Sequence, residues 1–366
     1  MRRTPALIVG GGPAGASAAI RLALAGTPHL LLERSRETGD ALCGGFLSWR
    51  TLESLASLGI EPHALGPAGV SRVRLFAGAH LAEAMLPRPA HGVSRRHLDT
   101  LLLARAAAAG AVIERGVTIR EVTGTTARLH DGTTIAGDAL FLASGKTDIR
   151  GLARPEAARG RDPTLGLRVR LGPSPALDAL VGDAIELHLF DRGYAGIVRQ
   201  EDGTANLCLA VHRSRLAEAG DPEQLLVALG DECPRLADRL AWRMAGGVDA
   251  IANVPYGWRA TAGTPGLFRL GDQAGVIPSL AGEGMGIAIA SGIRAARAYL
   301  AAGPGAAVAF QRHLARDLAR PIGLAGVIRG AAERPALARA LLPIAGHAPA
   351  LIDLIARATR IGHDSA

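Results

Sequence analysis

Three glycines near the start of the chain have the spacing of a phosphate-binding turn. Gly10, Gly12 and Gly15 form the pattern G-x-G-x-x-G in the stretch VGGGPAGAS. The first glycine of this pattern makes a tight turn, the second clears the path of a diphosphate, and the third lets a helix pack closely on a strand. Backbone amides at the start of that helix then stabilise the phosphate charge. We expect a dinucleotide site formed by Gly10, Gly12, Pro13, Ala14 and Gly15.

A carboxylate follows at the position where a nucleotide ribose needs one. The stretch HLLLE (29–33) is predicted as a buried strand, and it ends in Glu33. A carboxylate at this place accepts hydrogen bonds from both ribose hydroxyls and repels a 2′-phosphate. The dinucleotide is therefore expected to be FAD or NAD, and not NADP.

Four further side chains have types suited to chemistry beside a cofactor: Cys43, Lys146, His188 and Tyr194. Cys43, in ALCGGFLSW, either contacts substrate and delivers a proton or fills the edge of a pocket as a small apolar group. Lys146, the only lysine, either contacts a phosphate or a substrate oxyanion or lies in an exposed turn. His188 and Tyr194 either donate a proton and orient the substrate or pack within a strand.

Hydrophobic patterning predicts the elements that position these residues. The run ALIVG (6–10) is typical of a buried parallel strand, and a helix is expected from about Pro13 to Ala25, ended by Gly26. With the strand at 29–33 they form a βαβ unit. This unit predicts an α/β fold that contains a Rossmann-like cofactor-binding domain.

A second glycine-rich stretch helps to distinguish FAD from NAD. In LFRLGDQAGVIPSLAGEGMGIAIASG (267–292), a strand at 267–270 runs into Gly271 and Asp272, and a helix of small residues continues to about Leu300. This stretch resembles the second FAD-binding motif of the p-hydroxybenzoate hydroxylase-like flavoproteins. The resemblance implies that Asp272 binds the ribityl chain and that the following loop and helix start present backbone N–H groups to the flavin.

A third segment agrees with this resemblance. VSRRHLDTLLLARAAAAGA (93–111) is similar to the V-x-R-x-x-(F/L)-D-x-x-L helix of the same superfamily, which implies that Arg95 faces the cofactor and Asp99 belongs to the helix. The resemblance covers about residues 5–300. It implies that the cofactor also contacts Arg34, Cys43, Gly44, Gly45, Val117, Gly145, Gly271, Asp272, Pro278, Gly282, Gly284 and Met285.

The Cys-Gly-Gly loop at 43–45 resembles the geranylgeranyl reductase branch of that superfamily, in which such a loop passes near flavin and substrate. Its two glycines are expected to let the backbone press against a flat ring. Tyr194 matches the first position of that branch's Y-x-W-x-F-P strand, but Gly196, Val198 and Arg199 replace the other three motif residues. The hydroxylase branch has an Asp-Gly pair where this chain has Ser144-Gly145-Lys146.

These features predict an FAD-dependent oxidoreductase. The favoured activity is monooxygenation of an aromatic or polyketide-like lipophilic small molecule, with O₂ as cosubstrate and NADH or NADPH as the external reductant. The alternative is a geranylgeranyl-reductase-like enzyme that saturates an olefin or prenyl chain. A non-catalytic electron-transfer flavoprotein is a third interpretation.

Composition argues against several other classes of protein. The net charge is +8, but the arginines are scattered and aromatic residues make up only 3%, so no nucleic-acid partner is expected. The three cysteines are far apart, and no His or Cys has metal-ligand spacing, so neither disulfides nor a metal are expected. The apolar N-terminus fits the dinucleotide turn better than a signal peptide. We expect a cytoplasmic protein without transmembrane helices, and peripheral membrane contact is left open.

Three regions are expected along the chain. A discontinuous FAD-binding domain comprises 1–65, 90–160 and 246–300, and an antiparallel-sheet substrate domain comprises 66–89 and 161–245. A C-terminal helical region follows at 301–366. Its amphipathic helices, expected to break at Pro321, Pro335, Pro343 and Pro349, either pack across the substrate domain, line a lipophilic tunnel or contact a membrane surface.

Overall fold

The chain combines strands and helices, with a run of helices at its C-terminal end, as the computed structural model of residues 2–347 and 349–362 shows. The structure does not describe residues 1, 348 and 363–366. Parts of the expected regions 1–65 and 301–366 therefore lie outside the described residues. The strands are β1 (Arg2–Val9), β2 (His29–Glu33), β3 (Phe46–Leu47), β4 (Gly69–Ala77), β5 (His80–Gly92), β6 (Val112–Arg115), β7 (Ile119–Thr123), β8 (Thr126–Leu129), β9 (Thr134–Leu142), β10 (Thr164–Leu171), β11 (Ala184–Phe190), β12 (Gly193–Arg199), β13 (Ala205–His212), β14 (Asp249–Val254) and β15 (Leu267–Arg269). The helices are α1 (Pro13–Leu24), α2 (Trp49–Ala56), α3 (Arg95–Ala108), α4 (Pro175–Val181), α5 (Arg213–Ala219), α6 (Pro222–Glu232), α7 (Pro234–Leu240), α8 (Gly284–Ala302), α9 (Ala307–Asp317), α10 (Ala319–Ala332), α11 (Pro335–His347) and α12 (Pro349–Ala358).

The first sheet is built around parallel strands in the order β6-β2-β1-β9-β15. The second half of β1 and most of β2 are buried. This fits their apolar sequences, because the strands of a parallel sheet are usually covered on both faces. Strands β7 and β8 extend the sheet as an antiparallel pair beside β9. Helix α8 packs directly on α1, because a Cβ at Gly292 would lie 2.2 Å from the carbonyl oxygen of Ala14. The predicted Rossmann-like α/β architecture is confirmed.

The second sheet has the strand order β14-β10-β13-β12-β11-β4-β5-β3. Its neighbours pair antiparallel except β4 and β11, which run parallel because the chain returns to β11 only after it has passed through the first sheet. Strand β14 pairs with β10, so residues 249–254 extend this sheet although the segment 246–300 was expected in the FAD-binding domain. Strand β3 pairs with the end of β5, and the Cys-Gly-Gly loop therefore leads directly into this sheet.

The C-terminal helices contact both sheets. Helix α9 packs near β15, whereas α11 and α12 pack on β5. Pro335 and Pro349 begin α11 and α12, but Pro321 lies in the first turn of α10 and Pro343 lies inside α11, so these two prolines do not break the helices. A first-turn proline lacks only an amide that has no intrahelical partner, whereas Pro343 costs α11 one backbone hydrogen bond. Among the described helices, none is both long and apolar enough to span a bilayer.

Candidate active site

A cavity of about 860 Å³ lies where the two sheets meet. Its wall includes the turn between β1 and α1, the end of β2, the loop before β3, the loop before α8 and one face of the second sheet. Small-molecule sites usually enclose about 300–1,000 Å³. The volume is therefore suited to a small organic ligand or part of a cofactor with its substrate.

The three glycines of the G-x-G-x-x-G turn are needed for different structural reasons. Gly10 has a φ of +102°, and a Cβ there would lie 2.4 Å from the carbonyl oxygen of Ala143. A Cβ at Gly15 would lie 1.9 Å from the carbonyl oxygen of Gly10. At Gly12, by contrast, the only described atom within 4 Å of a Cβ would be Nη2 of Arg95, at 3.3 Å. Gly10 and Gly15 are thus required by the fold, and Gly12 leaves space beside the cavity.

The start of α1 is available to an anion. Among the described residues, no side chain caps this helix, which begins with Pro13 after Gly12. Uncapped first-turn amides carry a partial positive charge that suits a phosphate. Ala14 also lines the cavity, whereas Gly15 lies behind the wall, where it allows helix and strand to pack.

Glu33 occupies the end of β2 at the cavity wall. Its Oε2 accepts a hydrogen bond from the amide of Gly11 at 2.7 Å, and its Oε1 accepts one from the amide of Ser35 at 2.8 Å. These two bonds fix the carboxylate at the position expected for a ribose contact. Arg34 and Val117 line the same part of the cavity.

Arg95 supplies positive charge beside the glycine turn. It lies in the first turn of α3, which Ser94 caps by accepting a hydrogen bond from the amide of His97 at 3.0 Å. Its Nε and Nη2 donate to the two carboxylate oxygens of Asp99 at 2.9 and 2.7 Å. Burial opposes the charge of Arg95, but Asp99 outweighs it and raises the pKa of the guanidinium. The cation is thus held in place next to Gly12, where a diphosphate would lie.

The Cys-Gly-Gly loop is held by strand β13. Nδ2 of Asn206 donates to the carbonyl oxygens of Cys43 at 2.8 Å and Gly44 at 3.0 Å, and Sγ of Cys208 donates to that of Cys43 at 3.0 Å. Cys43 itself is half-buried at the cavity wall. These bonds turn the loop carbonyls toward the second sheet.

The two glycines of this loop do not share one role. No atom of the described residues lies within 4 Å of a Cβ built at Gly44, so this position is open. Gly45 has a φ of +78°, and its Cβ would lie 2.9 Å from the carbonyl oxygen of Val93. From the sequence, both glycines are expected to allow the approach of a flat ring. That reason fits Gly44, whereas Gly45 is required by the backbone turn and by close packing.

Lys146 lies in the cavity wall and not in an exposed turn. Its Nζ is 3.7 Å from Oδ2 of Asp272 and 3.5 Å from the carbonyl oxygen of Leu42, to which it donates. Burial disfavours the ammonium, but the charge of Asp272 outweighs it and raises the pKa of Lys146. Gly145 and Gly271 flank this pair in the cavity wall. The lysine therefore stays charged between two of the loops expected to hold the cofactor.

Tyr194 is buried with its hydroxyl at the loop that precedes α8. The hydroxyl lies 2.7 Å from Oγ of Ser279 and accepts a hydrogen bond from the amide of Leu280 at 3.1 Å. Tyr256 also donates to Oγ of Ser279, at 2.8 Å. Burial and the neighbouring Tyr256 raise the pKa of Tyr194 well above its ordinary value. The phenol therefore stays protonated and anchors this loop. Pro278 precedes the loop and lies off the cavity wall.

His188 lies on the far side of the second sheet. Side chains alternate along β11, so Ile185 and Leu187 line the cavity while Glu186 and His188 face away from it. The imidazole stacks on Phe76 with ring centroids 4.5 Å apart, and its Nε2 lies 3.3 Å from Oε2 of Glu186. The expectation that His188 acts on the substrate is therefore corrected: its role is in packing and in an ion-pair cluster.

That cluster is centred on Glu186, which is fully buried. Nε and Nη2 of Arg239, from α7, donate to its two oxygens at 2.9 and 2.8 Å. Burial would raise the pKa of Glu186, but hydrogen bonds from His188 and Arg239 outweigh it and lower the pKa to about 2. Since this is below the ordinary value of 4.5, the ionised pair stabilises the fold above that pH, and its contribution is lost as the pH falls toward 2.

Replacing Arg239 by methionine is expected to lower the free energy of unfolding at pH 7 by up to about 3–5 kcal/mol, because the buried carboxylate of Glu186 then keeps only one arginine contact, the longer one to Nη1 of Arg74 at 3.5 Å. The loss should shrink near pH 4, where the poorly paired carboxyl takes up a proton. Urea unfolding at both pH values measures this. Arg235→Met, on the same helix with its side chain 65% exposed, is the control and should change stability by less than about 0.5 kcal/mol. Equal losses in the two variants would contradict the assignment.

A second buried ion pair lies beneath the loop before α8. Glu283 is fully buried, and its Oε2 lies 3.1 Å from Nη1 of Arg360 and accepts a hydrogen bond from Oγ of Ser48 at 3.0 Å. Arg360 also donates to the carbonyl oxygen of Ala281 and stacks over the ring of Trp49. The C-terminal segment thus fastens the turn that contains Gly282 and Gly284, a contact that sequence reasoning missed.

The part of the cavity away from the glycine turn is aliphatic. Strands β4, β5, β11 and β14 and helices α10 and α12 provide its side chains, namely Val73, Leu75, Leu86, Ile185, Leu187, Ile251, Ile328, Ile352 and Ile355. Such a wall binds apolar groups and excludes water. This end of the cavity is therefore suited to apolar groups.

Most residues chosen from the sequence meet at this one cavity. The residues at its wall are Gly10, Gly12, Pro13, Ala14, Glu33, Arg34, Cys43, Gly44, Gly45, Arg95, Val117, Gly145, Lys146, Tyr194, Gly271, Asp272, Gly282, Gly284 and Met285. Gly15, Pro278 and His188 lie off the wall. Sequence reasoning missed Cys208, Tyr256, Ser279 and Arg360, which also line it. Of these, Ser279 had a local signal, because it lies within the glycine-rich stretch 267–292 directly after Pro278.

The geometry of the site fits FAD, and comparisons with known proteins agree. Residues 3–151 match the family model described as FAD binding domain. The chain is 28% identical over 313 residues to digeranylgeranylglycerophospholipid reductase 2 of Methanopyrus kandleri. The aligned region covers 78% of this chain and 74% of the reductase. The open position at Gly12, the fixed carboxylate of Glu33 and the uncapped start of α1 are what the dinucleotide requires.

Two solved structures share the fold. A flavoprotein/dehydrogenase from Cytophaga hutchinsonii aligns with a TM-score of 0.81 at 18% identity, over 98% of this chain and 93% of that one. A probable FAD-dependent monooxygenase from Pseudomonas aeruginosa aligns with a TM-score of 0.72 at 16% identity, over 93% of this chain and all of that one. At these identities the likeness establishes a shared fold.

Proposed function

We propose that this chain, an FAD-dependent oxidoreductase, is a monooxygenase that hydroxylates a lipophilic aromatic or polyketide-like small molecule with electrons from NADH or NADPH. The observation that carries the proposal is the aliphatic wall opposite the glycine turn, formed by side chains such as Leu75, Ile185 and Ile352. When bound, FAD would supply two-electron redox chemistry and activate O₂ once it is reduced.

Different residues of the chain are suited to different parts of FAD and to the substrate. Gly12, the start of α1 and Arg95 are suited to the diphosphate, and Glu33 is suited to the ribose. Asp272 with Lys146 and the turn at 282–284 are suited to the ribityl chain and the flavin. The aliphatic side chains orient the substrate and keep water away from the reacting carbon.

The acids near the substrate end also favour oxygen transfer. Saturation of an olefin requires a proton delivered to carbon by a nearby acid. Tyr194 has its hydroxyl engaged by Ser279 and its pKa raised by burial, and burial raises the pKa of Cys208 to about 12. Both are weak acids. Transfer of oxygen to an electron-rich aromatic carbon needs no such donor.

The second candidate is reduction of an olefin or prenyl chain. Two observations favour it: the Cys-Gly-Gly loop at the cavity wall, and the similarity to a relative named as a digeranylgeranylglycerophospholipid reductase. In this case Sγ of Cys43 would deliver the proton. The two candidates therefore differ in what they require of this thiol.

We expect the purified protein, supplied with NADH or NADPH under ¹⁸O₂, to add one labelled oxygen atom to nonylphenol. Under argon it should leave both nonylphenol and geranylgeraniol unchanged. Mass spectrometry of the products measures this. A gain of two hydrogens by geranylgeraniol under argon would support the reductase and contradict the monooxygenase.

The Cys43→Ala variant is a second test that distinguishes the monooxygenase from the reductase. In a monooxygenase the variant should retain at least about half of the turnover, whereas loss of a proton donor would lower the rate by about 100-fold or more. Cys233→Ala is the matched control, because that thiol is buried beside α6 and α7, away from the cavity.

A further inference from the structure

Helix α11 presents an apolar face that the described residues do not cover. Its Ala338 and Leu342 are buried against Ala77 and Ala82 of the second sheet. Leu337, Leu341 and Ile344, at spacings of four and three residues on one side of the helix, remain 39, 45 and 59% exposed. A surface helix normally carries polar residues on its outer side. Leu354 of the adjoining α12 is also 60% exposed.

The net charge around this face is positive. Between positions 319 and 362 there are six arginines and two acidic residues. Both acids are ion-paired with arginines one turn away, Glu333 with Arg329 at 2.6 Å and Asp353 with Arg357 at 2.8 Å. Arg360 is buried in its ion pair with Glu283, so the remaining charge is that of three exposed arginines and is positive. An apolar helix side flanked by arginines is the pattern of helices that lie at the surface of an anionic membrane.

Helix α12, which packs beside α11, forms part of the cavity wall. Ile352 packs against Val73 and Ala84, and together with Ile355 of α12 and Ile328 of α10 it lines the aliphatic end of the cavity. The exposed side of α11 thus lies beside the helices that enclose this end.

We infer that α11 and α12 dock this protein on a membrane that contains anionic phospholipid, with Leu337, Leu341 and Ile344 at the boundary between headgroups and acyl chains. The inference goes beyond the proposed function, because docking depends only on the outer surface of these helices. It assigns the substrate to lipids or other hydrophobic compounds that partition into the bilayer.

Sedimentation with phosphatidylcholine vesicles, with and without phosphatidylglycerol, tests the inference on the FAD-loaded protein. We expect binding to the anionic vesicles, weakened by salt, and at least about tenfold weaker binding for the Leu341→Glu/Ile344→Glu double variant. Val227→Glu is the matched control: Val227 is 61% exposed on α6, which packs with the core of the opposite face of the second sheet. This variant should bind as the unmodified protein does.

A second variant, Arg334→Gln/Arg339→Gln, leaves the apolar face intact and should weaken binding to anionic vesicles only. Circular dichroism and bound FAD report whether each variant is folded. Absence of sedimentation with either vesicle would overturn the inference. So would a dimer in light scattering that the Leu341→Glu/Ile344→Glu variant dissociates, because a second copy of the chain would then cover this face. Hydroxylation of a water-dispersed substrate tests the proposed function separately.

Discussion

Gly12→Val is expected to yield a folded protein that no longer retains FAD. Gly12 has ordinary extended backbone angles, and a side chain there would meet only the flexible end of Arg95 within the described structure. The fold can therefore accept the substitution. The added side chain would occupy the space through which a diphosphate approaches the start of α1. We expect FAD affinity to fall by about 100-fold or more, equivalent to about 2.8 kcal/mol.

Gly15→Val should behave differently. Its Cβ would lie 1.9 Å from the carbonyl oxygen of Gly10 and 3.2 Å from the Cβ of Ala143, so α1 could not keep its place on the sheet. We expect this variant to lose its native fold together with its cofactor. Circular dichroism, thermal unfolding and flavin absorbance after desalting distinguish the two results. A yellow Gly12→Val protein with unchanged FAD affinity would exclude this turn as the diphosphate site.

Arg360→Met is expected to weaken both the fold and the binding of FAD. It leaves Glu283 as a fully buried carboxylate without its cation, and such losses cost about 3–5 kcal/mol of unfolding free energy. The substitution also removes the bond from Arg360 to the carbonyl oxygen of Ala281. Since Gly282 and Gly284 in this turn line the cavity, FAD affinity should fall by about tenfold.

Urea unfolding and fluorescence titration of FAD measure these two effects. Arg357→Met is the matched control, because its side chain is 55% exposed and pairs with Asp353 at the surface of α12. It should change stability by less than about 0.5 kcal/mol. In the Arg360→Met/Glu283→Gln double variant, where no charge remains buried, part of the lost stability should return. A double variant as unstable as the sum of its single variants would show that the two residues act independently.

Burial also raises the pKa of Glu283, although Arg360 opposes this shift. A carboxyl whose pKa is raised by folding favours the folded state more at low pH, where it is protonated in both states, than at high pH. Removal of Arg360 should raise this pKa further. The stability deficit of Arg360→Met should therefore be smaller at pH 5 than at pH 8, which the same unfolding experiment can record.

The sequence alone determined the dinucleotide-binding turn and the strands and helix around it. The glycine spacing at 10, 12 and 15, the strand that ends in Glu33 and the glycine-rich loop before α8 were all recognisable. These signals are local, since a tight turn, a helix start and a buried strand each depend on residues close together in the chain. For the same reason α1 and β2 lie where the hydrophobic pattern placed them.

Only the tertiary structure decided which side chains meet at the cavity. The alternation of β11 is visible in the sequence, but the packing of its two faces determined that Leu187 faces the cavity and that His188 faces α7. The Glu283–Arg360 pair joins residues that are separated in the chain by the five helices α8 to α12. Gly44 and Gly45 are neighbours, yet only the contact with Val93 assigns them different roles. Such contacts bring together segments that are distant in the chain, and no local periodicity specifies which partner a side chain will meet.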